Sequence, residues 1–359
     1  MPELRRCTRC VMPETWVEIT FDEEGVCNIC RNYEKKQVIN WDERKEILIG
    51  ILDNFKKQAR EKGNKYDCLV GYSGGKDTVY TLWAMKKKYG MRPLALTFDH
   101  GFKFTEDGEY NIQEIPKILD VDHIRFSIGN GLRNGLCKKG SEVMGDFCWH
   151  CHNGVGAFPA RISKALDIPL QVWGEPTGEY QTTGTEYTFD TLEEQNESHF
   201  KKAFQCGITP DMVLPENYEM LDLMPFQWPD GISLKAIYLG NFEPWEQRKH
   251  VEIIENKLGW RPYPFEDYDD ELIKTWGNYV NWDKVDCPYE TIRNWQKFIR
   301  RGFDKFSFQA SKDIRDGIME RHHAIELLKY EGLRPFNMNE FCKETNITEA
   351  EFYRITKRL

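Results

Sequence analysis

The stretch VGYSGGKDTVY, residues 70–80, follows an apolar run at residues 68–70 and decides the fold. Two adjacent glycines, Gly74 and Gly75, let backbone N–H groups converge on an anion because no side chain stands in the way. A helix that begins at this point adds the positive end of its dipole. Lys76 supplies a mobile positive charge. The pattern therefore predicts a phosphate-binding turn between a buried strand and a helix.

Strands and helices alternate along the chain on both sides of this turn. Alternation of this kind favours an α/β fold with a doubly wound parallel sheet, covered by helices on both faces. The predicted helices include residues 41–62, which precede the first strand, and residues 77–90, which follow the turn. The predicted strands lie within residues 66–73, 92–101, 122–129, 165–176 and 233–242.

The turn is not a Walker A loop. Asp77 follows Gly75-Lys76 at the position where that motif requires Ser or Thr. Transfer of a terminal phosphate, as in a kinase, is thereby disfavoured. In a doubly wound sheet, ligands bind at the carboxyl ends of the strands, where a turn opens a helix. The expected ligand is therefore a nucleotide phosphate handled by a different chemistry.

Composition limits the remaining classes of protein. The chain has 359 residues and a formal net charge of −9, which predicts two or three folded units and makes a nucleic-acid partner unlikely. The N-terminus lacks an apolar signal core, and no run approaches the roughly 18 apolar residues of a membrane span. We expect a soluble cytoplasmic protein with no membrane partner. The basic runs at residues 86–88 and 300–301 are interpreted as solvated helix ends.

Four cysteines near the N-terminus are spaced for a metal ion. They form two CxxC pairs separated by sixteen residues, a spacing that can place four thiolates at the corners of a tetrahedron. Such a site has no open position, so its role is expected to be structural. The sequence thus predicts a zinc-ribbon domain at residues 1–40 that holds Zn²⁺ through Cys7, Cys10, Cys27 and Cys30.

The segment YSGGKDT, residues 72–78, closely resembles the loop of the PP-loop ATP pyrophosphatases, or adenine nucleotide alpha hydrolases. The resemblance implies a HUP-like domain over residues 41–250, in which the loop holds the β/γ pyrophosphate of ATP while a substrate oxygen attacks the α-phosphorus. It further implies that acids of the loop and of later strand ends place Mg²⁺. The implied catalytic residues are Lys76, Asp77 and Glu175, and the implied ATP-binding residues are Tyr72, Ser73, Gly74, Gly75, Lys76, Asp77, Thr78, Phe98, Asp99 and Gly174.

A finer resemblance rests on three further segments. CWHCHNG at 148–154, IPLQVWGE at 168–175 and the C-terminal stretch at 298–332 look like the N-acetyl sugar amidotransferases of surface-polysaccharide biosynthesis. The C-terminal stretch departs from that group at Met319 and at His322-His323. A mainly helical C-terminal region is expected at residues 251–359.

This finer resemblance implies a specific reaction. ATP would adenylate the acetamido oxygen of a nucleotide-activated N-acetyl sugar, and ammonia would displace AMP to leave an acetamidino group. The protein would contribute positioning and charge neutralisation, so the reaction requires no nucleophilic side chain. The chain shows no nucleophilic cysteine and histidine in the context expected of a glutaminase. A separate glutaminase subunit is therefore the expected source of ammonia.

Cys148 and Cys151 leave several alternatives open. In sulfur-inserting PP-loop enzymes, a CxxC at a similar place joins a later cysteine to hold a [4Fe–4S] cluster by three thiolates. Here Cys287 or Cys206 is the candidate third ligand. The other interpretations are a second zinc site with His150 or His152 and free thiols or a redox pair, because ligand spacing alone does not select the metal.

The cysteine site bears on function, because an open cluster iron can carry sulfide. The alternative function is consequently an ATP-dependent sulfurtransferase that thiolates a small molecule or a tRNA base. A further alternative is a nucleotide-binding regulatory subunit without turnover.

Overall fold

The computed structural model of the chain describes residues 4–176 and 192–357. Its centre is a six-stranded sheet with the order β3-β2-β1-β4-β6-β5. All neighbouring strands are parallel except β5, which runs antiparallel to β6 at one edge. The strands are β1 Cys68–Gly71, β2 Pro93–Asp99, β3 His123–Ser127, β4 Leu170–Trp173, β5 Glu193–Gln195 and β6 Leu234–Tyr238.

The order of the strands creates a topological switch point. The chain proceeds from β1 to β2 and β3 on one side, then returns to place β4 on the other side of β1. In sheets of this kind the crevice at the carboxyl ends of the two central strands is the usual ligand site. The predicted doubly wound α/β fold is confirmed, and the predicted phosphate turn lies at this crevice.

The two faces of the sheet bury different cores. Along β1, Val70 belongs to one buried apolar cluster and Leu69 to another, as the alternation of side chains along a strand requires. The helices of this part of the chain are α1 Asn28–Glu34, α2 Trp41–Glu61, α3 Lys76–Trp83, α4 Glu106–Ile118, α5 Asn130–Val143, α6 Trp149–Ala165, α7 Glu197–Phe200 and α8 Gln247–Leu258. Helix α3 packs against α8 on one face, and α6 packs against β1 and β2.

The C-terminal region is helical, as predicted. Its helices are α9 Asp270–Trp276, α10 Glu290–Arg301, α11 Lys305–Arg315, α12 Arg321–Leu327, α13 Met338–Thr345 and α14 Glu349–Lys357. Helix α14 packs against α10 and against α5 of the sheet domain. Helix α8 spans residues 247–258, so the boundary predicted between 250 and 251 falls inside it. Across the described residues, no helix combines the length and the apolar content needed to cross a membrane.

Two local features differ from the sequence prediction. The edge strand β5 was not predicted, because its sequence EEQ has neither an apolar run nor β-branched residues. The helix predicted over residues 77–90 is α-helical only to Trp83 and continues as a π-helical turn, Ala84–Lys88. The lysines of that turn end the helix near its negative pole, as expected.

The four N-terminal cysteines come together as predicted. One possible ligand atom from each of Cys7, Cys10, Cys27 and Cys30 lies within 4.8 Å of the others, and all four residues are buried. The Sγ atom of Cys7 accepts hydrogen bonds from the backbone N–H of Cys10 at 3.4 Å and of Cys27 at 3.2 Å. Such bonds stabilise thiolates, and the donor set fits a closed four-cysteine metal site. Zn²⁺ stays the predicted ion.

The cysteine cluster is fixed to the C-terminal helices. The guanidinium of Arg321 in α12 donates to the carbonyl oxygens of Cys10 at 3.0 Å and Cys7 at 3.1 Å. Trp16 stacks on Phe308 of α11 with ring centroids 5.5 Å apart. Correct folding of the ribbon therefore affects the surface that α11 presents to the rest of the molecule.

Replacement of one ligand tests the metal site. Cys27→Ser is expected to lose the bound zinc and to lower the melting temperature by about 5 °C or more, since a structural zinc ion contributes directly to folding. Zinc content is measured by plasma mass spectrometry on the whole chain and stability by calorimetry. Cys206→Ser, at an exposed cysteine, is the matched control. One zinc per chain in the Cys27→Ser variant would contradict the assignment.

Candidate nucleotide-binding site

The glycine turn is held rigidly between β1 and α3. Gly74 has φ +78°, and a Cβ atom at this residue would lie 2.6 Å from Cγ1 of Ile112. Trp260 donates from Nε1 to the carbonyl of Gly74 at 2.8 Å, and the backbone N–H of Ser73 donates to Oγ1 of Thr78 at 3.1 Å. Only glycine satisfies both the conformation and the close packing at residue 74.

Lys76 is buried between two carboxylates. Its Nζ atom lies 2.7 Å from Oδ2 of Asp77 and 2.9 Å from Oδ1 of Asp283, and only 5% of the residue is exposed. Burial acts to lower the pKa of Lys76, but the charges of Asp283 and Asp77 outweigh it and raise the pKa above its usual value. The lysine is therefore positively charged at neutral pH and ready to meet an anion.

Asp77 and one further carboxylate, Glu175, lie at the mouth of the turn. The Oδ1 atom of Asp77 is buried and accepts no hydrogen bond from a described residue, while Oδ2 contacts Lys76. Glu175 follows β4, and burial together with the charge of Asp77 raises its pKa to about 7. An unsatisfied buried carboxylate oxygen beside a second carboxyl group fits Mg²⁺, which prefers oxygen ligands. Asp77 and Glu175 are therefore suited to hold that ion.

A cavity of about 930 Å³ opens at the carboxyl ends of β1, β2 and β4. Its wall includes Tyr72, Phe98 and Gly174, three of the residues predicted to enclose ATP. Gly174 allows close packing there, because a Cβ atom would lie 2.7 Å from Oγ1 of Thr81. Cavities of this size hold a nucleotide-sized ligand.

Asp99 is not brought into the site. Its carboxylate accepts hydrogen bonds from Nε of Arg125 at 2.8 Å and from the backbone N–H of Gly101 at 2.7 Å. It does not contribute to the wall of either large cavity described here. The structure therefore does not support its predicted part in placing Mg²⁺. The neighbouring strand β3 supplies the arginine that occupies this carboxylate.

The loop before α10 supplies residues that sequence reasoning missed. Asp283 binds Lys76, Lys284 is near the turn, and Asp286 approaches Gly75 so closely that a Cβ there would lie 3.5 Å from its carboxylate. Within residues 283–287, the sequence pattern singles out only Cys287 as a candidate site residue. The run of acids and a lysine at 283–286 was a weak signal, because its sequence follows no strand and matches no motif.

A second cavity of about 730 Å³ adjoins the first. Its lining includes the glycine turn, Glu175 and Lys284, residues of α10 and α11, and the ribbon residues Trp16 and Val17. Arg300 and Arg301 lie in the last turn of α10, at the helix end that the sequence predicts, and both also line this cavity. Its basic residues are Lys76, Lys202, Lys284, Arg293, Lys297, Arg300, Arg301 and Lys305.

Cys148, Cys151, Cys206 and Cys287 all line the first cavity. Among the described residues, only the N-terminal cysteines form a group of three or more ligand atoms within 4.8 Å, so the later thiols do not form such a group with one another. Hydrogen bonding to Cys151 and burial raise the pKa of the Cys148 thiol. This thiol is therefore not an activated nucleophile in the metal-free protein.

The histidines of this segment are placed differently. His152 lines both cavities, and burial together with the charge of Arg293 lowers its pKa to about 3, so its ring is neutral. His150 is fully buried, and its Nε2 lies 3.1 Å from the carbonyl oxygen of His100. His150 Nε2 also lies 3.4 Å from Sγ of Cys151, so the second-zinc interpretation stays open.

Three comparisons with known proteins bear on this arrangement. A family model described as "LPS biosynthesis protein WbpG-like, C-terminal domain" matches residues 273–359. The uncharacterized protein MJ1599 of Methanocaldococcus jannaschii is 26% identical over 239 residues, which cover 66% of this chain and 79% of that protein. The NAD+ synthetase from Burkholderia pseudomallei aligns in structure over 64% of this chain and 92% of its own, with 11% identity and a TM-score of 0.27.

The charge of Lys76 can be removed without losing the fold, because Asp283 keeps its ion pair with Lys305 at 2.7 Å. Lys76→Gln is expected to weaken the binding of α,β-methylene-ATP with Mg²⁺ by about tenfold or more, since a charge-assisted contact is lost. Calorimetric titration measures the affinity. Lys86→Gln, in the turn after α3, is the control and should bind as the wild type does. Equal affinities in all three proteins would remove Lys76 from the site.

The raised pKa of Glu175 predicts a pH dependence of stability. Between pH 4.5 and about 7 the folded protein retains a proton that the unfolded chain has lost, so the free energy of unfolding falls as pH rises through this window. Glu175→Gln removes that contribution and should flatten the slope. Urea unfolding of the magnesium-free and nucleotide-free proteins, with the ribbon zinc retained, provides the measurement. Identical slopes for the wild type and the variant would show that Glu175 does not titrate in this range.

Proposed function

We propose that this chain is an ATP-dependent, AMP-forming amidotransferase that acts on a nucleotide-linked N-acetyl sugar in surface-polysaccharide biosynthesis. One observation carries the proposal: the turn with buried Lys76 lies where two large cavities meet. An enzyme that transfers AMP from ATP to an acceptor needs one space for each substrate. The reacting atoms must meet where the two spaces join. The match of residues 273–359 to the WbpG-like domain supports the polysaccharide context.

The first chemical step is adenylation. The acetamido oxygen attacks the α-phosphorus of ATP, the bond to the β-phosphate breaks, and pyrophosphate leaves. The N–H groups of the turn and the ammonium of Lys76 stabilise the negative charge that develops on pyrophosphate. Mg²⁺, held by Asp77 and Glu175, would neutralise further phosphate charge. The protein supplies positioning and electrostatics.

The second step replaces oxygen by nitrogen. Ammonia adds to the activated carbon, AMP leaves with the former acetamido oxygen, and an acetamidino group results. Loss of a proton from the added nitrogen completes the balance. The thiols near the turn do not look like the nucleophile of a glutaminase, because burial raises the pKa of Cys148 and of Cys287. The proposal therefore includes a separate glutaminase partner that delivers ammonia.

A second candidate function rests on the cysteines. Cys148, Cys151 and Cys287 line the same cavity as Ser73 and Thr78 of the turn. Three cysteines that share a cavity are compatible with a [4Fe–4S] cluster that leaves one iron open. Sulfide would then replace ammonia as the nucleophile, and the chain would be an ATP-dependent sulfurtransferase. Cys206 also lines the cavity and stays an alternative third ligand.

Mass spectrometry of the reaction products distinguishes the candidates. Anaerobically purified whole chain is incubated with ATP, Mg²⁺, a panel of nucleotide N-acetyl sugars and either ammonium or sulfide. We expect a product with NH in place of O that depends on ammonium, and none from Lys76→Gln. Cys148→Ser should still form it, because the amidotransferase chemistry uses no thiol.

Other products would favour the alternatives. A product with S in place of O, dependent on sulfide and lost in Cys148→Ser, would overturn the proposal in favour of the sulfurtransferase. ATP binding without any product from either nucleophile would favour a nucleotide-binding regulatory subunit.

A further inference from the structure

The part of the second cavity farthest from the glycine turn has an unusual lining. It is lined by Trp16 of the ribbon and by Asn294, Lys297, Arg300 and Arg301 of α10, and we call this space the basic chamber. None of these five residues lines the first cavity. The chamber is therefore distinct from the first cavity, whose wall includes residues predicted to enclose ATP.

Two cations of the chamber have no acidic partner. Elsewhere in the second cavity, Arg293 pairs with Asp146 at 3.0 Å and Lys305 pairs with Asp283 at 2.7 Å. Within residues 4–176 and 192–357, no carboxylate lies within ion-pairing distance of Lys297 or Arg301. Both residues are half-buried, and a partly desolvated cation without an acidic partner has a charge that a ligand could satisfy.

The surroundings of Lys297 disfavour the charged form of its side chain. Its Nζ lies 4.7 Å from the ring centroid of Trp16 and 5.1 Å from that of Phe303, so aromatic faces surround the ammonium group. Burial, with the neighbouring charge of Arg293, lowers the pKa of Lys297 to about 8. An anion in the chamber would offset this loss of hydration and favour the charged form.

An unsatisfied donor lies beside these cations. Asn294 is only 8% exposed, and its Nδ2 atom donates to no group in the described parts of the chain. Buried amide donors are almost always paired, so an orphan in the wall of a cavity indicates an absent acceptor. Asn294, Lys297 and Arg301 follow one another at the spacing of one helix face. They offer one neutral and two charged donors to an oxyanion.

We propose that the basic chamber binds the phosphate group of the second substrate, through Asn294, Lys297 and Arg301. This assignment rests on the proposed function for the class of substrate, a nucleotide-activated sugar. Arginine and lysine side chains with an amide donor suit the oxygens of a phosphoanhydride. Arg300 is excluded from the set because its guanidinium donates to the carbonyl of Met144.

The distance along α10 separates the two phosphate sites. Arg293 lines both cavities near the turn, whereas Arg301 lies two helical turns farther on, a rise of about 12 Å. The triphosphate of ATP at the turn and the phosphate of the second substrate in the chamber can therefore be bound together. The substrate would then extend from the chamber toward Lys76, with its reacting acetamido group near the turn.

Calorimetric titration of the whole chain tests the chamber. The turn is first saturated with Mg²⁺ and α,β-methylene-ATP, and UDP-N-acetylglucosamine or inorganic pyrophosphate is then titrated as the probe. We expect wild-type protein to bind at least one probe, and Lys297→Met and Arg301→Met to bind it about tenfold or more weakly. Asn294→Asp, which replaces the unpaired amide with a carboxylate of the same shape, should abolish binding. Binding of α,β-methylene-ATP alone should be unchanged in all three.

Control variants distinguish a loss of binding groups in the chamber from other causes of weaker probe binding. Arg354→Met, at an exposed arginine of α14, removes one positive charge elsewhere and should bind both ligands as the wild type does. Melting curves verify that each variant is folded. Wild-type protein that binds neither probe, or variants that lose α,β-methylene-ATP in the same proportion, would overturn the proposal. Since the readout is binding, failure to form the acetamidino product would refute the proposed function while leaving this result intact.

Discussion

The site depends first on the ion pair between Lys76 and Asp283. It links the first residue of α3 to the loop before α10, and Lys305 of α11 binds the other oxygen of the same carboxylate. The three groups are largely buried, so each charge requires the others as partners. The pair holds the C-terminal helices over the carboxyl ends of the strands and keeps the lysine charged beside the glycine turn. If Lys76 loses its charge, Lys305 still pairs with Asp283, so the helices stay in place while the turn loses its cation.

This constraint explains why distant segments share one site. The ribbon does not contact the glycine turn through its cysteines, yet Trp16 stacks on Phe308 of α11 and so completes the wall of the second cavity. The cysteine cluster thereby supports the second cavity, and the sheet supports the first. Negative and positive charges lie in different parts of the site. Carboxylates lie near the turn, where a magnesium ion would be held, whereas cations without acidic partners lie at the far end of α10.

Sequence alone could predict the sheet and the turn because their signals are local. An apolar run followed by SGGKDT defines β1, the turn and the start of α3 without reference to other segments, and the two CxxC pairs define the ribbon. Asp283, Asp286 and Arg301 could not be found in this way, since their roles follow from long-range packing of the C-terminal region. Asp99 shows the opposite error: its place at the end of β2 was predicted well, but Arg125 of the adjacent strand engages its carboxylate. The strand β5 escaped prediction because three polar residues at an edge carry no periodic signal.

The central claim is that the turn serves adenylation of a substrate oxygen, and oxygen tracing tests it most directly. An N-acetyl sugar nucleotide labelled with ¹⁸O in its acetamido group is incubated with the whole chain, ATP, Mg²⁺ and ammonium, and the phosphate products are resolved by ³¹P NMR. The account predicts unlabelled pyrophosphate and AMP that carries ¹⁸O on its phosphate, in an amount equal to the product formed. Release of ADP and inorganic phosphate, or AMP without the label, would contradict it.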